Sequence, residues 1–150
     1  MTDLRTALPA LLPRAITWAR ETARRVELAG AAINSDEVLI ARKVGVRQPH
    51  LIRVLEVDVF PLPEEAELRD AALRTGLLGP EMVGLTLGCS VLVCRGYRTR
   101  RLLSHEFRHV YQYESAGSIA AFLPLYLQQI VEVGYANAPL EIDARAHEFD

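Results

Sequence analysis

Residues 105–109 read His-Glu-Phe-Arg-His, and this short run constrains the fold more than any other part of the sequence. It lies in a stretch from Thr99 to about Glu114 that predicts a helix, which Gly117 then ends. Residues four apart on a helix project from one face about one turn apart, so the imidazoles of His105 and His109 can reach a single point. The fold must therefore bring another element against that face.

Two histidines with a glutamate between them form the HExxH pattern, which provides two ligands and a base for a hydrolytic zinc site. Catalytic zinc takes three protein ligands and leaves its fourth position for water. Glu106 projects beside the imidazoles, where a carboxylate can take a proton from water as that water attacks a carbonyl. We therefore expect Zn²⁺ bound by His105 and His109, with Glu106 as the catalytic base.

The third ligand has to come from a later part of the chain. An extended HExxHxxGxxH pattern would have glycine and histidine where this sequence has Gln112 and Ser115. The remaining option is a carboxylate on the last predicted helix, which Pro139 opens. We choose Glu141, because it lies in the first turns of that helix and its longer side chain can bridge packed helices. Asp143 is the alternative.

These residues resemble the gluzincin metallopeptidases, in which HExxH on one helix is completed by a glutamate on a downstream helix. The likeness is strongest to compact, minimal members of that group, and it lies in HEFRHVYQYE at 105–114 and NAPLEIDA at 137–144. The resemblance implies a zincin-like metallopeptidase domain, with an extended peptide or protein substrate against the strand predicted over 83–95. It covers roughly the last 70 residues. One departure is Arg145, since many gluzincins have aspartate at this place, four residues after the ligand glutamate.

The periodicity of the chain predicts an α+β fold in a single domain over residues 1–150, with the metal site in 81–150 and further helices and strands in 1–80. A chain of 150 residues, 50% of them hydrophobic, is long enough to bury a core. The pattern predicts strands over 51–60 and 83–95, and helices over 13–31, 35–44, 64–74, 99–114, 118–133 and from about 137. We expect a small sheet packed against several helices, including the helix that carries HExxH.

The overall composition argues against several classes of partner. The formal net charge is −2, which gives no reason to expect a nucleic-acid partner. No leader pattern is found at the N-terminus, and the longest apolar run, 119–133, is interrupted by Pro124 and by polar residues. We therefore expect a cytoplasmic protein without a transmembrane segment. Cys89 and Cys94 lie in the predicted strand on opposite faces, so we expect no disulfide.

Further side chains near the motif are candidates for supporting roles. Metal-bound histidines usually have a hydrogen-bonding partner on the second ring nitrogen, and Asp143 or Glu114 could orient a histidine in this way. A developing oxyanion needs a hydrogen-bond donor. The candidates for that donor are Tyr111, Gln112, Tyr113, Tyr135 and His147.

Two other readings of the sequence stay open. The first is a zincin-like interaction domain without catalytic activity. The second is a helix-turn-helix DNA-binding protein that uses residues 36–56, with Gly45 at the turn. Against the second, Leu51 to Phe60 alternates like a strand where a recognition helix is required. A chain of this length also has little material for a substrate cleft, which predicts a dedicated target, a protein partner or a homo-oligomer.

Overall fold

Helices alternate with strands up to a pair of consecutive strands, and three helices follow that pair. In the computed structural model, which describes residues 3–150, six α-helices and one four-stranded sheet form an α+β fold. The elements in chain order are α1 (Leu4–Ala29), β1 (Ala31–Ala32), α2 (Ser35–Lys43), β2 (Arg53–Val57), α3 (Ala66–Arg74), β3 (Gly84–Leu87), β4 (Ser90–Cys94), α4 (Arg100–Ala116), α5 (Ile119–Val133) and α6 (Pro139–Ala146). The predicted α+β class is confirmed.

The sheet has the strand order β1-β2-β4-β3, so β3 lies at one edge. Strands β2 and β4 are parallel, and the two outer pairs are antiparallel. Successive side chains of a strand point to opposite faces. In β4, Val91 and Val93 pack in a cluster with residues of α2 and α4, whereas Leu92 packs with Val26 of α1. Helices therefore cover both faces of the central strand.

The single strand predicted over 83–95 is wrong, because this segment is a β-hairpin. Leu87 pairs with Ser90, and the turn between them consists of Gly88 and Cys89. Gly88 has a φ of +68°, a conformation that glycine adopts at little cost and that tight hairpin turns require. The hairpin places Cys89 in the turn, and both cysteines are free thiols.

Helix α1 begins nine residues before the predicted start at residue 13, and β2 is shorter than the predicted strand over 51–60. Asp3 caps α1 by accepting a hydrogen bond from the backbone N–H of Arg5. Pro9 and Pro13 both lie inside the helix, which costs backbone hydrogen bonds. Leu8 and Leu11 are buried in this first half of α1. Their burial offsets the cost of the prolines, and sequence periodicity alone could not show it.

The segment proposed as a helix-turn-helix has only its first helix. After α2, the chain forms a three-residue 3₁₀ turn at Pro49–Leu51 and then enters β2. A recognition helix would have to occupy the residues that form this turn and strand. The geometry of residues 36–56 therefore disfavours the DNA-binding interpretation.

Helices α4 and α5 meet at a sharp corner. Gly117 ends α4 with a φ of +101°, a left-handed conformation that most side chains disfavour. The two helix axes are bent by 117° there. Within residues 3–150, no single helix is both long and apolar enough to cross a membrane, and only this bent pair, taken together, has the required length and composition.

Glu37 ties α2 to the loop that leads into α4. Its backbone N–H donates to the Asn34 side chain, and its carboxylate accepts from the Asn34 backbone, which forms a capping box. The same carboxylate accepts two hydrogen bonds from the guanidinium of Arg98, at 2.8 and 2.9 Å. Burial favours the neutral acid, but these contacts outweigh it and lower the pKa of Glu37. The pair therefore stabilises the entry into α4.

We predict that Glu37→Gln lowers the free energy of unfolding by about 1 to 2 kcal/mol at neutral pH, because Arg98 loses a charged acceptor. The folded-state pKa of Glu37 lies below its usual 4.5, so the stabilisation is complete above pH 4.5 and is lost as the pH falls through the folded-state value. Urea unfolding at several pH values measures this difference. The control is Asp58→Asn, whose partner Arg95 is exposed, and this variant should unfold with nearly the wild-type free energy. Equal effects of the two substitutions at neutral pH would contradict the prediction.

Candidate metal centre

Helix α4 divides its side chains between the core and the candidate site. Thr99 caps the helix by accepting from the backbone N–H of Leu102. Apolar residues on one face of α4 enter the cluster shared with the sheet and α2: Leu103, Phe107 and Val110. His105, Glu106 and His109 are also buried, but they face β3 and α6. The helical period therefore sends apolar and polar side chains to different neighbours.

The two histidines of HExxH and Glu141 of α6 converge on one point. His105 Nε2 lies 3.2 Å from Glu141 Oε1, and His109 Nε2 lies 2.9 Å from Glu141 Oε2. One ligand atom of each residue lies within 4.8 Å of those of the other two. The side chain of Glu141 is only 1% exposed. Glu141 was the preferred third ligand and Asp143 the alternative, and it is Glu141 that lies next to both histidines.

The second ring nitrogen of each histidine has a hydrogen-bonding partner that fixes its role. His105 Nδ1 lies 2.8 Å from the carboxylate of Glu148, which can only accept, so this nitrogen donates. His109 Nδ1 lies 2.8 Å from Gln112 Oε1. The amide nitrogen of Gln112 donates to Leu140 O and to Asp143, which sets the amide orientation. In the neutral imidazoles, both Nε2 lone pairs therefore face Glu141.

This arrangement fits a divalent cation. Tetrahedral ligands about 2.1 Å from one ion lie about 3.4 Å apart, and one ligand atom of each of the three residues lies within 4.8 Å of those of the other two. Two nitrogen lone pairs and a carboxylate repel one another unless positive charge lies between them, either as protons on the rings or as a metal ion. The carboxylate of Glu106 adds further negative charge that a cation would balance, since its Oε2 lies 4.0 Å from His105 Nε2. Two imidazoles and a carboxylate are also a donor set that zinc commonly takes.

The pKa values of His105, His109 and Glu141 follow from the same balance of charges. Burial disfavours the charged imidazoles, but the hydrogen bonds to Glu141 and the charge of Glu106 outweigh it. They raise the pKa of His105 to about 9 and also raise the pKa of His109. Burial alone would raise the pKa of Glu141, yet the hydrogen bonds from both histidines hold it well below its usual value. Without a metal, the carboxylate therefore retains protons on its ring partners.

Glu106 lies beside this cluster in a slot that β3 provides. Its side chain is 6% exposed, and its Oε1 accepts a hydrogen bond of 2.8 Å from the hydroxyl of Thr86. A Cβ atom on Gly84 would lie 2.8 Å from Glu106 Oε2 and 2.9 Å from its carboxyl carbon. Only glycine leaves room for the carboxylate here.

Sequence reasoning missed two side chains that hold the cluster. Tyr126 of α5 donates to Glu141 Oε2 at 2.7 Å, and Glu148 holds His105. Glu148 follows the end of α6 at Ala146, so helical spacing from Glu141 could not predict its contact with His105. Tyr126 lies in an apolar helix beside Phe122, on which its ring stacks. Nothing in the local sequence distinguishes it from a core aromatic residue.

The other proposed supporting residues lie at varying distances from the cluster. Asp143 touches no histidine of the pair directly, but it binds Gln112 and Arg108, so it reaches His109 only through Gln112. Glu114 accepts from the backbone of Arg47 and Gln48 instead. The ring of Tyr111 lies under Arg108, that of Tyr113 packs on Phe122, and His147 contacts the backbone of Asp143. Among the proposed oxyanion donors, Tyr113 and Tyr135 line the same cavity as Glu106 and Glu141.

Comparison of the chain with protein-family models, with curated proteins and with solved structures gave no match. The geometry of the site and the HExxH pattern therefore carry the functional interpretation.

We predict that the protein binds one Zn²⁺ per chain and that Glu141→Gln abolishes this binding, because a buried ligand loses its charge. Asp143→Asn is the matched control. It should weaken binding only about 10- to 100-fold, since Asp143 acts through Gln112 on His109. Calorimetric titration against a competing chelator, with metal analysis of the dialysed proteins, measures both. Loss of zinc in the Asp143 variant and retention in the Glu141 variant would reverse the assignment of the third ligand.

Proposed function

We propose that this protein is a zinc-dependent metallopeptidase of the gluzincin type, with a zincin-like fold. The observation that carries the proposal is the convergence of His105, His109 and Glu141 beside the buried carboxylate of Glu106. The distances alone are compatible with a structural ion-pair cluster. The HExxH pattern, its helix and the downstream glutamate favour hydrolysis over that alternative.

A bound zinc ion would supply Lewis acidity, which lowers the pKa of water to about 7 and polarises a carbonyl oxygen. The residues of the chain supply the rest. Glu106 accepts the proton of the attacking water and then donates it to the amine that leaves, so that the peptide bond is replaced by a carboxyl and an amino group. Thr86 holds Glu106 in place through its hydroxyl. Tyr135 lines the cavity beside Glu141 and is our preferred donor to the developing oxyanion.

Strand β3 is our candidate for pairing with the peptide backbone. Strand β3 lies at the edge of the sheet, and its residues Gly84 and Thr86 contact Glu106. An extended peptide that adds to a sheet edge forms backbone hydrogen bonds with that strand. A peptide bound along β3 would therefore pass the catalytic carboxylate. The cytoplasmic location and the need for a protein partner or a second copy stay predictions of the sequence.

The experiment that tests catalysis is Glu106→Gln in the zinc-loaded protein. We predict that the variant keeps its zinc, because Glu106 is not a ligand, and that cleavage of a library of internally quenched peptides falls about 10²- to 10⁴-fold. The control is Glu114→Gln on the same helix, which should cleave at the wild-type rate. If the wild type retains zinc but cleaves no peptide of the library, the interpretation as a zincin-like interaction domain without catalytic activity is correct.

The carboxylate of Glu106 occupies the space that glycine leaves at position 84. In Gly84→Ala, the new Cβ would displace the carboxylate, and a shift of about 1 Å in a catalytic group costs on the order of 10²-fold in rate. We expect zinc content to stay at the wild-type level while kcat falls. Gly79→Ala is the control, because its Cβ would meet no atom closer than 3.8 Å. An unchanged kcat in the Gly84 variant would show that Glu106 is not the base.

A further inference from the structure

A cavity of about 130 Å³ opens directly beside the candidate metal centre. Glu106, His109 and Glu141 form part of its wall. Its lining comes from strand β3 and helices α4 and α5, and also from residues of α1 and α3. Residues 1–80, which the resemblance to gluzincins does not cover, therefore supply almost half of the wall.

Away from the metal centre the cavity is lined mainly by hydrocarbon. The side chains that form the wall there include Leu8, Leu11, Trp18, Leu68, Leu78 and Phe122. Such a space cannot satisfy the hydrogen bonds of a peptide backbone or of a charged side chain. It favours an apolar group, whose transfer from water gains roughly 25 cal/mol for each Å² buried.

The volume of the cavity limits the size of the apolar group that can bind in it. An apolar cavity of about 150 Å³ admits benzene, so a space of 130 Å³ holds one ring or one branched aliphatic side chain. Small residues set the limit on the α1 and α3 side, where Ala15 and Ala72 contribute to the wall. Larger side chains at these two positions would shorten the cavity.

We propose that this cavity binds one large apolar side chain, of the size of leucine or phenylalanine, from the peptide that is cleaved. The proposal rests on the proposed peptidase function, and it assigns the choice of substrate to α1 and α3. A peptide along β3 has its backbone beside Glu106, and its alternate side chains point to one face of the sheet. Because Glu106, His109 and Glu141 line the cavity, a side chain bound in it would lie next to the carbonyl held at the candidate metal centre.

Trp18 offers a reporter that needs neither metal nor catalysis. It is the only tryptophan of the chain, and it lines the cavity. The probes are N-acetyl-leucinamide, N-acetyl-phenylalaninamide and N-acetyl-glycinamide, titrated against the full-length protein while Trp18 fluorescence is recorded. We expect a saturable change with the first two amides and none with the glycine amide.

Two filled variants test where the amides bind, each with a control on the same helix. Ala15→Phe and Ala72→Leu should weaken binding of both apolar amides at least tenfold. Ala10→Phe on α1 and Ala66→Leu on α3 change exposed positions and should bind as the wild type does. Using one variant from each helix guards against misfolding of either, which circular dichroism detects.

The results separate this proposal from the peptidase proposal. Equal responses to the glycine and phenylalanine amides, or unchanged binding in both filled variants, would overturn the cavity assignment. So would saturable binding of octanoate without binding of either apolar amide, because the occupant would then be an acyl chain.

For cleavage, kcat/KM should favour leucine or phenylalanine over glycine about tenfold or more, and Ala15→Phe should remove this preference. Absence of zinc and of cleavage, with the amide results intact, contradicts only the peptidase proposal.

Discussion

The carboxylate of Glu141 is the group on which the arrangement of this site depends. It is 1% exposed, and an ionised carboxylate at such a depth is costly unless other groups pair with it. His105 and His109 approach its two oxygens, and Tyr126 donates to it as well. Three helices therefore contact a single charge. The two ring nitrogens converge because one buried acceptor holds both, so a cation could enter without moving α4 or α6 far.

This constraint extends well beyond the cluster. The Gln112 side chain connects His109 to Asp143, and Arg108 joins Asp143 to the backbone oxygen of Val44 at the end of α2. Helices α2, α4 and α6 are thus linked by charged and amide side chains around the apolar core. Because these side chains have several partners each, a substitution of one removes hydrogen bonds of the others. Metal sites depend on such outer partners, which fix the ring orientation and the tautomer of each ligand.

The sequence was most informative where local spacing and chemistry agreed. HExxH placed its two histidines on one helix face, and the position of Glu141 in the first turns of the last predicted helix, together with its longer side chain, was the reason to prefer it to Asp143. The partners that hold these residues were harder to find. Tyr126 comes from an apolar helix, and Thr86 contacts Glu106 only because a hairpin brings β3 to α4. Such contacts depend on tertiary packing, which no local period encodes.

The prediction failed where a single residue changed the path of the chain or where packing overrode local preference. Gly88 turns one apolar run into two paired strands, and without that turn no edge strand would lie against Glu106. In α1, the periodic pattern predicted a start at residue 13, but burial of Leu8 and Leu11 stabilises the earlier turns. Those same early turns line the cavity beside the metal centre. A motif search finds His105, Glu106 and His109, but it cannot find the wall of this cavity, because the side chains there are ordinary apolar ones whose effect comes from the space that they enclose together.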